Sequence, residues 1–433
     1  MKFKIHRGTK EIGGSCIEVW TDSTRIVLDF GMPLVDEKRN PFDSNATNDC
    51  EVDELIHLGV LPRIEGLYSK DPHTALILSH AHQDHYGLVE YIHEDCPIFM
   101  GEPTHKLIEL TNTFTRNKWK IHTSNYFSSG KCFKFGDIEI TPYLMDHAAF
   151  DAHAFLVQAN GKSLFYSGDF RIHGRKAKAF DWFKWNVKKD VDYLLLEGTT
   201  INRGSHSFPT EEDLEKEFAN EFKTNSGIHL VYVSGQNIDR LVSLYRACKK
   251  ENKILAIDFY IATVLKELAK FARLPYPSES FPEIRVFYPR NLSKMIANQG
   301  QEKLLYQFKP YKITKEQINE QAPKVVMTIR PSMKSDLNAL TCLNGGTFIY
   351  SMWSGYREET VIYDFIQLLT GQGMRDVTIH TSGHADRQGL QRMVDALKPK
   401  KLVPIHTFDA NEYQSIFSSS EVLMVDDGEI VSI

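Results

Sequence analysis

A two-domain α/β chain is what this sequence predicts, and three observations carry the prediction. The chain runs to 433 residues, more than one ordinary hydrophobic core organises. Up to about residue 200 its apolar residues fall in short runs broken by Gly, Asp or Asn, which read as strands. From about residue 205 strands alternate with helical periods, the pattern of a parallel sheet built from βα units.

In the first region RIVLDFG at 25–31, DIEITPY at 137–143 and KSLFYSGD at 162–169 are the clearest strands. The second region opens on Thr210, an N-cap whose helix carries Leu214, Phe218 and Phe222 at helical spacing. A strand in IHLVYVS, a helix over 238–250, a strand in KILAID and a helix over 261–272 follow. The strand VVMTI at 325–329, a helix over 334–342 and the strand TFIYS complete the series. The intervening RLPYPSESFPEIRVFYPRN, 273–291, is proline-rich and reads as a loop or an edge strand.

Composition narrows the classes. No stretch approaches the ~18 apolar residues of a membrane span, and MKFKIHRGTKEIGG has no apolar run behind its basic residues, so a soluble, cytoplasmic chain without membrane contact is expected. The six cysteines (Cys16, Cys50, Cys96, Cys132, Cys248, Cys342) contain no CxxC pair. That argues against a disulfide framework or a cysteine zinc knuckle and leaves buried thiols as the expectation. A formal charge of −5 is not the basic footprint of a general nucleic-acid binder, so a polyanion would have to be held by a local field.

Chemistry concentrates in SHAHQDH, residues 79–85, which sets His80, His82, Asp84 and His85 directly behind the apolar run ALIL. In extended backbone His80, His82 and Asp84 project to one side while His85 belongs to the turn that opens a helix, so one peptide offers two ligand sets. Imidazoles and carboxylates suit Zn²⁺ or a similar borderline cation, which needs three or four of them converging. The remaining donors are expected on other strand ends, because the strands of a sheet deliver their loops to one rim. Asp146 and His147 follow IEITPYL, Asp169 follows SLFYSG, Glu197 follows VDYLLL, His384 follows VTI and His406 follows KLVPI. Singly each is an ordinary loop residue; together they describe a site.

SHAHQDH resembles the HxHxDH signature of the metallo-β-lactamase fold, with LDFG (Asp29) before it and MDH (His147) and SGDF (Asp169) after it in the family's order. Glu197 in LLLEGT, His384 in SGHA and His406 in PIHT are similar to motifs A, B and C of the β-CASP branch. RGTKEIGGS is similar to the opening of ribonuclease J and its relatives. The resemblance implies an αββα metallo-β-lactamase sandwich over 1–204 and 372–433, interrupted by a β-CASP α/β domain over 205–371. It further implies a nuclease with two zinc ions, manganese being admitted. His80, His82 and His147 would hold one ion, Asp84, His85 and His406 the other, with Asp169 between them. A hydroxide shared by the metals would attack phosphorus, with Asp84 and His384 as catalytic groups. His384 is cast as a proton donor or phosphate contact, and Asp29 and Glu197 as carboxylates that orient ligand histidines from behind.

Substrate contacts are expected in GDFRIHGRKAK, through Arg171, His173, Arg175, Lys176 and Lys178. In the second region Arg330, Ser332 and Lys334, then Ser351, Ser354 and Tyr356, follow strand ends where hydroxyls and helix N-termini would hold a terminal phosphate, with Trp353 or Tyr356 stacking on a base. The histidine at motif C resembles the RNA-processing members of the branch, so single-stranded RNA is the expected partner, with DNA and a homodimer as the further partners admitted. Two other classes use the same fold. One is a hydrolase of small esters or thioesters, against which the inserted region and His384 count. The other is a noncatalytic scaffold, against which the full set of seven ligand residues counts.

Overall fold

The computed structural model describes every residue except 36–39, 44–49, 116–120 and 123. It divides into two compact units: Met1–Asn112, Asn117–Ser207 and Gly383–Ile433 form the first, Thr113–Arg116 and Phe208–Ser382 the second.

Two sheets build the first unit. One has seven strands in the order Ile430–Ser432, Lys2–Arg7, Cys16–Trp20, Arg25–Leu28, Thr74–Ile77, Ile98–Met100 and Ser124–Tyr126. The other has six, in the order Lys401–Ile405, Tyr193–Glu197, Lys162–Tyr166, His153–Ala159, Ile138–Leu144 and Phe133–Phe135. Alternation sets the packing: Phe3 and Ile5, two apart in KFKIHR, are buried with Val19, Leu28, Phe155, Val157, Leu195 and Val403 in a core drawn from both sheets. The second sheet also buries its other face, where Phe165, Leu194 and Leu196 meet Phe180 and Phe183 of the helix Ala177–Asn186 and Leu390 and Met393 of the helix Arg387–Leu397. A strand buried on both sides reads as an unbroken apolar run, which is why YLLLE lacks alternation. Each Leu or Phe so buried contributes about 1.5–3 kcal/mol.

The pairing directions position the chemistry. Arg25–Leu28 is parallel to Thr74–Ile77, and Lys162–Tyr166, Tyr193–Glu197 and Lys401–Ile405 are mutually parallel. Ile138–Leu144 runs antiparallel to His153–Ala159, which runs antiparallel to Lys162–Tyr166, so its C-terminal end falls at the same rim as theirs. The extended backbone expected through Asp84 is not found. A short helix, Gln83–Tyr86, begins straight after His82, so Asp84 and His85 lie on its first turn. Backbone bonds from Phe30 N to His85 O (2.7 Å), Met32 N to Gln83 O (3.0 Å) and Ser15 N to Asp84 O (3.0 Å) clamp that turn. Gly31 makes the approach feasible, since a Cβ there would sit 1.7 Å from the Asp84 carbonyl oxygen.

The second unit has a six-stranded, all-parallel sheet in the order Ile284–Phe287, Ile254–Asp258, Val325–Ile329, His229–Tyr232, Thr347–Tyr350 and Arg375–Thr378. Thr210 and Asp213 form a reciprocal capping box on the helix Glu211–Thr224. The helix expected over 261–272 begins earlier and is Phe259–Leu268, because the Asp258 carboxylate caps it by accepting from Ile261 N at 3.0 Å. The proline-rich stretch supplies an edge strand, Ile284–Phe287. The helix expected over 334–342 shrinks to Lys334–Leu337, and Thr341 N–H turns instead to the Asn319 side chain at 3.0 Å. Arg375–Thr378 pairs with Thr347–Tyr350, so the compact unit extends to Ser382 rather than to 371. Its polar sequence RDVT suits an edge strand and carries little apolar signal. Cys16, Cys96 and Cys248 are buried thiols as expected, whereas Cys132 is exposed. No described helix is long and apolar enough to cross a membrane.

Candidate metal centre

Two residues of the rim adopt left-handed backbone without being glycine, Asp29 (φ 60°) and His406 (φ 50°). Such positions cost on the order of 1–3 kcal/mol and persist where surrounding bonds hold them. The buried Asp29 carboxylate accepts from Ser79 N (2.7 Å), Ser79 Oγ (2.7 Å) and Tyr166 Oη (2.6 Å), and meets His85 Nδ1 at 2.8 Å. Because Ser79 Oγ gives its proton to Asp29, it accepts from His80 Nδ1 at 2.9 Å. His147 Nδ1 donates to the Gly383 carbonyl at 2.6 Å, and His406 Nδ1 lies 2.9 Å from Ser15 Oγ with Gly13 N at 3.4 Å beside it. With Nδ1 so engaged, His80, His85, His147 and His406 each turn Nε2 inward; His82 differs, meeting His147 Nε2 through its own Nδ1 at 3.2 Å. A partner on the outer nitrogen fixes tautomer and ring orientation, as metal-binding imidazoles require.

The inward atoms form two overlapping sets of four donors, and Asp169, Glu197 and His384 form a third group of three. His80, His82, His147 and Asp169 make one, Asp84, His85, Asp169 and His406 the other, each with its donor atoms within 4.8 Å of one another. Asp169 Oδ2 lies 3.9 Å from His80 Nε2, 3.1 Å from His85 Nε2 and 3.8 Å from His406 Nε2, and Asp84 Oδ2 lies 3.8 Å from both His85 and His406 Nε2. Bonds of ~2.0–2.1 Å in a tetrahedron put neighbouring ligand atoms about 3.3 Å apart, close to these separations. His80 Nε2, His406 Nε2 and Asp169 Oδ1 are buried with no hydrogen-bond partner among the described residues, an arrangement that costs about 1–3 kcal/mol per atom unless something satisfies it. The residues therefore fit a divalent cation in each set.

Electrostatics agrees. Burial, then the neighbouring imidazoles, push His80 and His147 well below the ordinary histidine range, and burial lowers His82 and His406. Neutral imidazole is the ligating form. Burial alone would raise the Asp169 carboxyl, but His406, His85 and His384 outweigh it and hold it well below the usual carboxylate range. Burial would likewise lower His85, yet Asp169, Asp29 and Asp84 hold it well above; a cation would stand in place of that proton.

His384 and Glu197 border the sets. His384 Nδ1 is 3.4 Å from Glu197 Oε1 and 3.8 Å from Asp169 Oδ2, and its ring lies 5.1 Å from that of His147. Glu197 thus faces His384 rather than one of the expected ligand histidines, a correction to its anticipated role, while Asp29 does back His85.

Comparison with known proteins finds two profiles in this chain. A profile described as a beta-lactamase superfamily domain matches residues 49–216, and one described as a Zn-dependent metallo-hydrolase RNA specificity domain matches 374–410. Residues 49–216 thus carry a metallo-β-lactamase superfamily domain and residues 374–410 a metallo-hydrolase RNA specificity domain. The second profile, following the inserted six-stranded unit in the chain, is consistent with the β-CASP branch. Ribonuclease J of Helicobacter pylori strain ATCC 700392 / 26695 is 24% identical over 92% of this chain and 55% of its own length. Integrator complex subunit 11 of Danio rerio is 23% identical over 92% of this chain and 67% of its own length. The chain thus spans about half the length of the ribonuclease J relatives it matches first. A crystal structure of a protein of unknown function from Enterococcus faecalis V583 superposes with a TM-score of 0.78 at 20% identity, covering 99% of both chains, and shares the fold.

Around this site the expected substrate contacts divide. Arg171 and His173 are buried, Arg171 completely, with its guanidinium 3.4 Å from the equally buried Asp146, so neither is open to a polymer. Arg175 and Lys176 remain partly exposed, and Lys176 Nζ donates to His147 O at 3.1 Å. In the second unit Ser351 is also buried, donating to Ile379 O at 2.6 Å and accepting from Arg240 Nη1 at 2.5 Å. Arg330 is half-engaged by Asp258 at 2.7 Å, and Ser332, Ser354 and Tyr356 stay exposed. The expected helix N-terminus at Lys334 belongs to a helix of four residues and offers little dipole. Sequence reading missed Ser15, Ser79 and Tyr166; the small polar residue beside His80 was the available signal for Ser79. Ser15→Ala removes the partner of His406 Nδ1, and zinc affinity measured by chelator competition is expected to fall about 10–100-fold, whereas an unchanged affinity would show that Ser15 does not orient His406.

Proposed function

We propose that this chain is a ribonuclease that hydrolyses phosphodiester bonds of single-stranded RNA and works with two zinc ions, manganese serving in their place. The observation that carries this reading is the pair of donor sets sharing Asp169, with His384 and Glu197 beside them. The RNA-specificity profile over 374–410 and the relatives named ribonuclease J support RNA as the polymer. When bound, two such cations supply a water acidified to near neutrality and a positive field for phosphate oxygens.

The chain's own groups do the rest. Asp84 is the second set's carboxylate that stays partly exposed, with a side chain 15% accessible, and accepts a proton from the attacking water. His384 is raised above its ordinary pKa, burial being outweighed by Glu197 and then Asp169, which favours its protonated form. With Nδ1 held toward Glu197, its Nε2 is left to contact a phosphate oxygen or to protonate the leaving oxygen. The local field explains how an acidic chain holds a polyanion.

The test is a purified-protein assay on end-labelled single-stranded RNA and DNA of one sequence, with Zn²⁺ or Mn²⁺, against a thioester. RNA is expected to be cut and a chelator to stop the cutting. Hydrolysis of the thioester with both nucleic acids intact would overturn the reading.

A further inference from the structure

Helix Ala177–Asn186 carries two tryptophans that its core does not bury. Phe180, Phe183 and Val187 turn into the core, which accounts for the helix's amphipathic period. Trp182 leans toward Tyr143, with ring centroids 6.2 Å apart, and over Gly130, yet is still 46% exposed, and Trp185 is 80% exposed. Single exposed hydrophobics are ordinary, but two tryptophans one turn apart form a platform. Lys184 Nζ sits 5.8 Å from the Trp185 ring centroid, and Lys178, Lys188 and Lys189 are exposed around the pair.

Charge selects the occupant. Residues 175–190 carry six Lys or Arg (Arg175, Lys176, Lys178, Lys184, Lys188, Lys189) against two acids, Asp181 and Asp190, in a chain whose formal charge is −5. Asp181 is engaged by Arg392 at 3.4 Å. Lysine is depleted at protein–protein interface cores, whereas aromatic rings interleaved with cations are what a single-stranded nucleic acid stacks on. The segment also starts at the metal centre: Lys176 Nζ bonds His147 O at 3.1 Å. At ~1.5 Å of rise per residue, Trp185 lies about 14 Å along the helix from there.

We propose that this helix is an outlying platform for single-stranded RNA, on which Trp182 and Trp185 stack on bases and the lysines meet phosphates, holding the strand beyond the hydrolytic centre. The proposal rests on the ribonuclease reading and extends it to a second contact region. Long substrates use the platform, and very short ones do not reach it.

The test is fluorescence anisotropy of metal-loaded protein with a cleavage-resistant 2′-O-methyl phosphorothioate RNA of about twenty nucleotides, compared with one of about five. Trp185 is too exposed for its removal to disturb the core. Trp185→Ala is expected to weaken the long RNA on the order of ten-fold and to leave its advantage over the short RNA reduced, with Trp185→Phe restoring most of it. Lys188→Glu with Lys189→Glu should flatten the salt dependence of log Kd by about 0.7 for each phosphate that is no longer neutralised. Equal affinities of wild type and Trp185→Ala for the long RNA would overturn the platform, and a change of molecular mass in light scattering without a change in RNA affinity would show a self-association face instead. Tight RNA binding with no cleavage of ordinary RNA would overturn the ribonuclease reading while leaving the platform standing.

Discussion

Replacing Asp169 with alanine is expected to empty both donor sets and to lower RNA turnover about 10³-fold or more. Asp169 is the residue common to both sets, with Oδ2 between 3.1 and 3.9 Å from His85, His406 and His80. Cations at such a centre supply several kcal/mol of charge stabilisation, and each 1.36 kcal/mol is a factor of ten in rate. Asp84→Ala provides the contrast, since Asp84 belongs to one set alone. Metal analysis should give a near-complete loss for Asp169→Ala and a loss of about half for Asp84→Ala, with folding checked by circular dichroism. Wild-type metal content and turnover in Asp169→Ala would remove the basis for a shared centre.

His384→Ala is expected to separate proton transfer from metal binding. His384 lies 3.8 Å from Asp169 and 3.4 Å from Glu197, and its side chain is 21% accessible, unlike the buried imidazoles of His80, His85, His147 and His406. Loss of a positioned proton donor or phosphate contact costs about 10²–10⁴ in kcat, so single-turnover RNA cleavage should fall by that range at unchanged metal content. Glu197→Gln should show a smaller drop, because the amide still orients the ring but no longer favours its charged form. Should metal leave together with activity in His384→Ala, His384 is a ligand and its assignment as proton donor fails.

Much of the rim was legible because its signals are local. A histidine or aspartate directly after an apolar run marks a strand end, and SHAHQDH, MDH, SGDF and PIHT each show this within a few residues; the structure gathers all four. The partners of those histidines were not legible. Ser15 and His406 are 391 positions apart and Tyr166 and Asp29 are 137 apart, and a serine or tyrosine in a strand-rich region carries no mark of such a contact. Arg171 misled for a related reason. Its charge reads as an exposed contact, yet it is fully buried beside Asp146, whose place next to His147 was the one available hint of a buried ion pair.

The alternation of Phe3 and Ile5, the unbroken YLLLE and the capping box at Thr210 determined by themselves which segments become strands and helices, since burial pattern and capping are properties of neighbouring residues. Residue types likewise determined that imidazoles and carboxylates would crowd the strand ends. Only the tertiary structure decided that Asp169 is shared by both sets, that Asp84 enters on a helical turn clamped by Phe30 and Met32, and that Arg375–Thr378 completes the inserted sheet. Those outcomes depend on the register between strands far apart in the chain, which parallel pairing sets through long-range contacts.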